Sequence, residues 1–344
     1  GVCPELRLKG RRGRVTATSK LPVTRGISGG FFLSQNTGDG MCTQSIDSYK
    51  SLNGLRGVAV LFVLFSHAAN KGLIFFEGFS IAGSGSGKVG VYLFFVLSAF
   101  LLTDQILKRQ DRYDLLKAEY IKRYIKKRFL RIFPLYILFL LFLWGAASFQ
   151  LSLFPRFSEF SLKSLLEHLF LLKGEAHLWT IKTEFKFYML LPILCFMLIP
   201  FVMNVFKIAG MICSISIFSF SIFYLSDVSF FLYIPIFLSG LFAACLFHKY
   251  PSTPFPLPRT HVSWLTLMLC FIMLLIMPKN ILLVAGLEKI NMASPVPCSF
   301  YAIFWGVIIL LLLWYESPLK ALLESRFLCF LGLISYSVYL WHWL

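Results

Sequence analysis

LNGLRGVAVLFVLFSHA, Leu52–Ala68, is the stretch whose reading decides the fold. It is an apolar helix long enough to enter a membrane, and it carries two strong ionisable groups: Arg56 at its start and His67 eleven residues on. At about 100° per residue, eleven steps return to within roughly 20° of the same face. At about 1.5 Å per residue the two positions lie roughly 16 Å apart along the axis. One face therefore offers a cation near the membrane surface and an imidazole about halfway through. A polar group inside a bilayer is costly and so marks a candidate site. The expectation is that Arg56 holds an anionic donor and that His67 does proton or acyl chemistry. The competing reading makes Arg56 a positive-inside anchor and His67 a hydrogen-bonded packing residue.

The composition agrees with a membrane setting. Only 14% of the 344 residues are charged and 58% are hydrophobic, where a soluble domain has about a quarter charged. The mean hydropathy is +0.75. Several apolar runs reach about 18 residues or more, which points to an all-α, polytopic transmembrane helical bundle. A net charge of +17 would suggest nucleic acid in a soluble protein. Here the basic residues crowd the ends of apolar runs, where they set orientation and meet anionic headgroups. No soluble domain presents a basic face, so no nucleic-acid partner is expected. None of the eight cysteines forms a C-x-x-C pair, and most fall in or beside apolar spans. Neither a metal site nor a disulfide framework is read from them.

Gly1–Asp47 is polar, with Arg7, Lys9, Arg11, Arg12 and Arg14 clustered early and no apolar core of signal-peptide length. Residues 1–50 read as a basic extension, disordered or not native before Met41, the first methionine and the expected natural start. The other reading of this stretch is a disordered basic tail touching lipid. Residues 51–344 read as one transmembrane domain, cut short because its last apolar run stops abruptly at Leu344. The spans fall at about 53–73, 89–107, 129–149, 177–203, 207–225, 228–247, 262–277 and 298–315, with the last run as a ninth. SLKSLLEHLFLL, Ser161–Leu172, suggests a short interfacial helix. IAGSGSGKVG, Ile81–Gly90, imitates a phosphate loop but has Ala82 and Val89 where Gly and Ser or Thr are needed. It reads as a flexible loop. Basic residues dominate from Lys108 to Arg131, against only Asp111, Asp114 and Glu119. This excess marks the cytoplasmic side, and it places the N-terminus and Arg56 there too.

Several stretches resemble, in family order, the bacterial membrane acyltransferases of acyltransferase family 3, which include glycan O-acetyltransferases. The first, LNGLRGVAVLFVLFSHA, has the family's Arg–ten residues–His spacing at Arg56 and His67. GVYLFFVLSAFLLT, Gly90–Thr103, is similar to the family's G-V-D-L-F-F-V-L-S-G-F, with Tyr92 for the acid and Ala99 for the Gly. RFLRIFPLY, Arg128–Tyr136, matches an R-x-x-R pattern at Arg128 and Arg131. HLWTIKTEFKFYMLLP, His177–Pro192, is similar to W-S-L-x-x-E-x-x-F-Y, with Lys182 and Lys186 making it unusually basic. LGLISYSVYLWHWL, Leu331–Leu344, is similar to L-G-x-I-S-Y-S-L-Y-L-W-H-W-P.

The resemblance implies a bundle of about ten spans, with about nine visible here. It implies transfer of an acyl group, commonly acetyl, from cytoplasmic acyl-CoA to a hydroxyl of a cell-surface glycan or glycolipid. The donor is a substrate, with no permanently bound cofactor. The expected partners are acyl-CoA, a glycan or lipid-linked saccharide, and membrane lipids, and the expected location is the cell inner membrane. Alternatives are a secondary transporter or flippase, which usually shows paired Gly/Pro-broken helices, and an inactive truncated relative.

His67 is then the expected catalytic base, taking a proton from the acceptor hydroxyl as it attacks the thioester. A transient acyl-imidazole is the other route. Arg56, Arg128 and Arg131 are candidates for the CoA phosphates, which suit guanidinium forks. Positive-inside anchoring is their bland alternative. Glu184 is the second catalytic candidate. His177, seven residues before it, shares its face if the helix extends back that far. Glu184 would orient a histidine or bind the acceptor, or else be neutralised by Lys182 or Lys186. Trp179 reads equally as a sugar platform or an interfacial anchor. Ser98 reads as a packing residue rather than a nucleophile. Tyr336, Tyr339 and His342 form a stripe at spacings of three that lines the site or makes a packing seam.

Overall fold

The computed structural model describes residues 49–73, 86–108, 115, 117–149, 160–226, 228–253, 255–275 and 294–343. The N-terminal stretch to residue 48, residues 81–85 and most of residues 109–116 lie outside the described residues. The rest of the glycine-rich stretch, residues 86–90, was read as loop but is already helical. Eleven α-helices follow in order among the described residues: α1 (Lys50–Asn70), α2 (Ser86–Leu107), α3 (Ala118–Ser148), α4 (Leu162–Leu169) and α5 (Trp179–Leu198), which runs on into the 3-10 turn Ile199–Phe201. Then come α6 (Val205–Ser226), α7 (Ser229–Lys249), α8 (Arg259–Leu275), α9 (Pro295–Trp314), α10 (Pro318–Leu323) and α11 (Arg326–Trp341). No strand occurs among the described residues. Backbone polar groups in hydrocarbon must bond within their own segment, so a helical bundle is what such apolar runs form.

Seven of these helices, α1, α2, α3, α5 (with its 3-10 turn), α6, α7 and α9, are long and apolar enough to cross a membrane. The chain is therefore a multi-pass membrane protein. The expected seventh span begins as α8, and its far end lies outside the described residues. α11 is apolar but shorter, at 16 residues. The short helix expected near residue 161 is α4, started by Ser161, whose hydroxyl accepts from the Ser164 N–H at 3.2 Å.

Two boundaries differ from the sequence reading. The third span was expected from residue 129, but α3 begins at Ala118, so part of the basic segment is helical. Its charges ride on a helix that projects beyond the apolar stretch. The first span ends at Asn70 rather than 73. Gly72, at φ +70°, gives its N–H to Ala69, and the Leu73 N–H reaches Ala68, so the chain turns out of the helix there. His67 is thus in the last turn of α1.

α2 is the innermost span, with 83% of its apolar window buried, whereas α6 has only 11% and faces outward along most of its surface. A helix apolar all round has no preferred wet face and suits a bundle centre. Tyr92, at the position where the resemblance carries an acid, is fully buried and packs against Tyr233 and Tyr301. α1 lies directly against the end of α10 and against α11. A Cβ on Gly54 would sit 1.8 Å from the carbonyl oxygen of Leu323 in α10, and one on Gly332 of α11 would sit 1.9 Å from that of Asn53 in α1. Only glycine allows backbones to meet this way, which is how membrane helices gain close packing.

Candidate active site

A polar cavity runs between α1, α2, α3, α5 and α11. Its wider part, about 530 Å³, is lined by Tyr49, Asn53, Gln105, Arg128, Arg131 and Tyr336, among others. Its narrower part, about 70 Å³, is lined by Thr180, Glu184 and Tyr339, among others. Arg56, Ser98, Arg131, Tyr188, Ser335 and Tyr336 line both, so the two are continuous. At the rim, Lys108 Nζ donates to Tyr49 OH at 2.8 Å and pairs with Asp104 at 2.9 Å. Tyr49 OH in turn donates to Asp104 Oδ2 at 3.3 Å, which ties the start of α1 to the end of α2.

Each helix contributes polar side chains to the cavity wall. Arg56 comes from the first turns of α1, and Arg128 and Arg131 share a face of α3. The Arg128 Nε is buried and has no hydrogen-bond partner. Glu184 projects from α5. Ser98 Oγ donates to its Oε1 at 2.6 Å, and Tyr188 OH, one turn on, donates to the same oxygen. The expected neutralising lysines point elsewhere: Lys182 Nζ donates to the Leu172 carbonyl and Lys186 Nζ sits 5.6 Å from the Phe230 ring. Glu184 is held by hydroxyls, leaving its charge facing a cavity that Arg56 and Arg131 also line.

His67 does not line this cavity. It belongs to a cluster of rings beyond Tyr339, with His342 at 4.7 Å and Trp343 at 5.1 Å between centroids. His177 joins from the turn before α5, 5.2 Å from His342 and stacked on Trp343 at 5.6 Å. The expectation that His177 shares a helix face with Glu184 is corrected. Ala176, at φ +49°, is not helical, and α5 starts only at Trp179. His177 turns instead to α11, where its Nε2 donates to the Leu340 carbonyl at 3.0 Å. Burial pushes its pKa down to about 3, so it stays neutral at ordinary pH.

Tyr339 joins the two halves. Its ring faces the cavity, its hydroxyl donates to the His177 carbonyl at 3.1 Å, and Thr180 Oγ1 lies 2.9 Å from that hydroxyl. Its own carbonyl accepts from His342 Nδ1 at 2.5 Å. Tyr336, one turn earlier, lines the cavity and donates to the Ile132 carbonyl at 3.0 Å. Trp179 lies outside the cavity lining, stacked on Tyr233 at 4.8 Å with Phe95 edge-on to it. Sequence reasoning passed over Thr180 and Tyr188 and read Ser98 as packing. The available signal was the four-residue spacing of Glu184 and Tyr188. Among the described residues, no group of three His, Cys, Asp or Glu side chains is placed to hold a metal ion.

Helices enclosing a charged cavity, with a histidine cluster packed beyond Tyr339, define a polytopic membrane protein with a polar interior. A family model described as an acyltransferase domain matches residues 49–344, and the chain belongs to acyltransferase family 3. Comparison with curated proteins and with solved structures finds no match.

Proposed function

We propose that this acyltransferase moves an acetyl group from acetyl-CoA to a hydroxyl of a cell-surface glycan or glycolipid. The donor is presented from the cytoplasmic side of the cell inner membrane, where the N-terminus also lies. The observation that carries the reading is the arginine-lined mouth of the cavity. Arg56, Arg128 and Arg131 surround it, and the unpartnered Nε of Arg128 asks for an oxygen acceptor such as a phosphate.

With the CoA phosphates at these guanidinium groups, the pantetheine arm runs inward past Arg56 and Glu184 toward Tyr339. His67 lies at the far end of the same helix, roughly 16 Å from Arg56 along the axis. There it takes the proton of the acceptor hydroxyl as that oxygen attacks the thioester carbon. The C–S bond breaks, and the proton passes to the departing thiolate. Glu184, fixed by Ser98 and Tyr188, orients polar groups of the donor arm. His177, Tyr339 and His342 form the acceptor end, with Trp179 a packing residue behind it.

The experiment is transfer of labelled acetyl from acetyl-CoA into glycan and lipid fractions by membranes carrying this chain or His67→Ala. Label transferred by the unmodified protein alone is the expected result. Equal transfer by both removes His67 as the base. Vesicle uptake of solute without acetyl-CoA consumption would point to a transporter.

A further inference from the structure

His342 carries its own information about protonation. A backbone carbonyl only accepts hydrogen bonds, so the 2.5 Å contact between His342 Nδ1 and the Tyr339 oxygen places a proton on Nδ1. A neutral imidazole then has a bare lone pair on Nε2. Burial lowers the His342 pKa to about 4, which keeps the ring neutral. That Nε2 is buried and has no hydrogen-bond partner. An unsatisfied acceptor in such a place calls for a donor. The ring nearest to it by centroid distance is His67, at 4.7 Å.

We propose that His342 is the positioning residue for His67. Its Nε2 accepts the N–H of His67, fixing the tautomer in which the other His67 nitrogen is the base. The chain of bonds runs from the Tyr339 carbonyl to His342 Nδ1–H, and from His342 Nε2 to the N–H of His67. This is the logic by which catalytic bases are oriented by a third group, with a neutral imidazole and a backbone carbonyl in place of a carboxylate. Such bonds are often loose without substrate and tighten in the reactive complex. His342 remains neutral throughout. The proton taken from the acceptor hydroxyl sits on His67 while the O–C bond forms and the C–S bond breaks, and it leaves on the CoA thiol.

His177 has the same kind of free nitrogen, its Nδ1 being buried without a hydrogen-bond partner while Nε2 is committed to the Leu340 carbonyl. Its ring is stacked on Trp343, however, whereas the His342 ring lies against His67. The inference rests on the reading of His67 as the base, so the test separates the two.

The full chain is reconstituted in liposomes, and acetyl transfer from acetyl-CoA is followed for His67→Ala, His342→Phe, His342→Gln and His342→Asn. Gln places an acceptor oxygen near the Nε2 position, whereas Phe offers none and Asn is too short to reach it. The expected result is a loss in kcat on the order of 100-fold for His342→Phe, with KM for acetyl-CoA within about twofold of the parent. His342→Gln recovers at least tenfold of that loss. Unchanged kcat in His342→Phe overturns the proposal, as does a Gln variant no better than Phe. If His342→Phe does not fold, the Asn and Gln variants decide in the same way: equal activities overturn it, and a Gln advantage supports it. If His67→Ala transfers as well as the parent, the base assignment itself has failed and this inference falls with it.

Discussion

The two ends of α1 are built on opposite plans. At Arg56 the helix borders an open cavity where guanidinium groups, a carboxylate and hydroxyls face one another across space. At His67 it enters a closed cluster where imidazole and indole rings touch and two ring nitrogens, on His177 and His342, are tied to backbone carbonyls. The open end suits a charged ligand that brings its own hydrogen-bond acceptors. The closed end suits proton transfer, which needs fixed tautomers and little water. The same helix positions both, so what separates recognition from chemistry is its partners.

The largest expected effect comes from removing the frame that holds both ends. Gly54→Leu drives a side chain into the Leu323 backbone and costs about 3 kcal/mol or more, so most folded protein is lost. Gly145→Leu, with nothing within 4 Å of its Cβ position, is tolerated. Monodisperse yield in detergent and melting temperature compare the two, and equal yields would undo the close-packing argument. Next, Arg56→Ala strikes the open end alone. It lowers kcat/KM for acetyl-CoA by roughly 100-fold, the equivalent of about 2.7 kcal/mol, and leaves the melting temperature within a few degrees. Arg128→Gln is milder. It raises KM for acetyl-CoA by about tenfold with kcat kept, because its contact is made equally before and during reaction. A fall in kcat instead would move Arg128 from donor binding into the chemistry.

The smallest effect belongs to the closed end and is read by pH. His177 has an ordinary pKa of 6.5 and a folded value of about 3. The neutral form is therefore favoured on folding. Its contribution is complete above pH 6.5 and is lost progressively as pH falls toward 3. Each unit below 6.5 costs about 1.4 kcal/mol per such imidazole, and melting curves at pH 7.5 and 5.5 should differ by several degrees. His177→Phe should flatten that slope, and an unchanged slope would place the pH sensitivity elsewhere.

Much of the fold was legible because it follows from apolar run length. The second span and the short helix after Ser161 appear where the residues indicated. The cavity residues Arg56, Arg128, Arg131 and Glu184 were legible as costly charges beside or within apolar runs. The misreadings share a physical origin. Membrane hydropathy says where lipid ends, not where a helix ends, so α3 was started at residue 129 although its hydrogen bonds run back to Ala118. Helix ends are set by local backbone chemistry instead. Gly72 turns the chain out of α1 and leaves His67 in the last turn. Ala176, at positive φ, detaches His177 from α5 and from Glu184. The tie between Tyr339 and the histidines was out of reach, because residues some 160 apart in sequence meet through carbonyls, which no side-chain pattern records.

The glycine contact between α1 and α11 also makes the enzyme a gauge. Where two backbones touch, neither helix can slide or lean without a clash, so the separation between Arg56 and the imidazoles is a constant of the scaffold. On the function proposed above, a donor anchored by its phosphates would be sorted by reach. Its reactive carbon would have to lie roughly 16 Å further along α1, whatever acyl group it bears. A mimic with the same phosphates and a shortened arm would dock, block the mouth and deliver nothing.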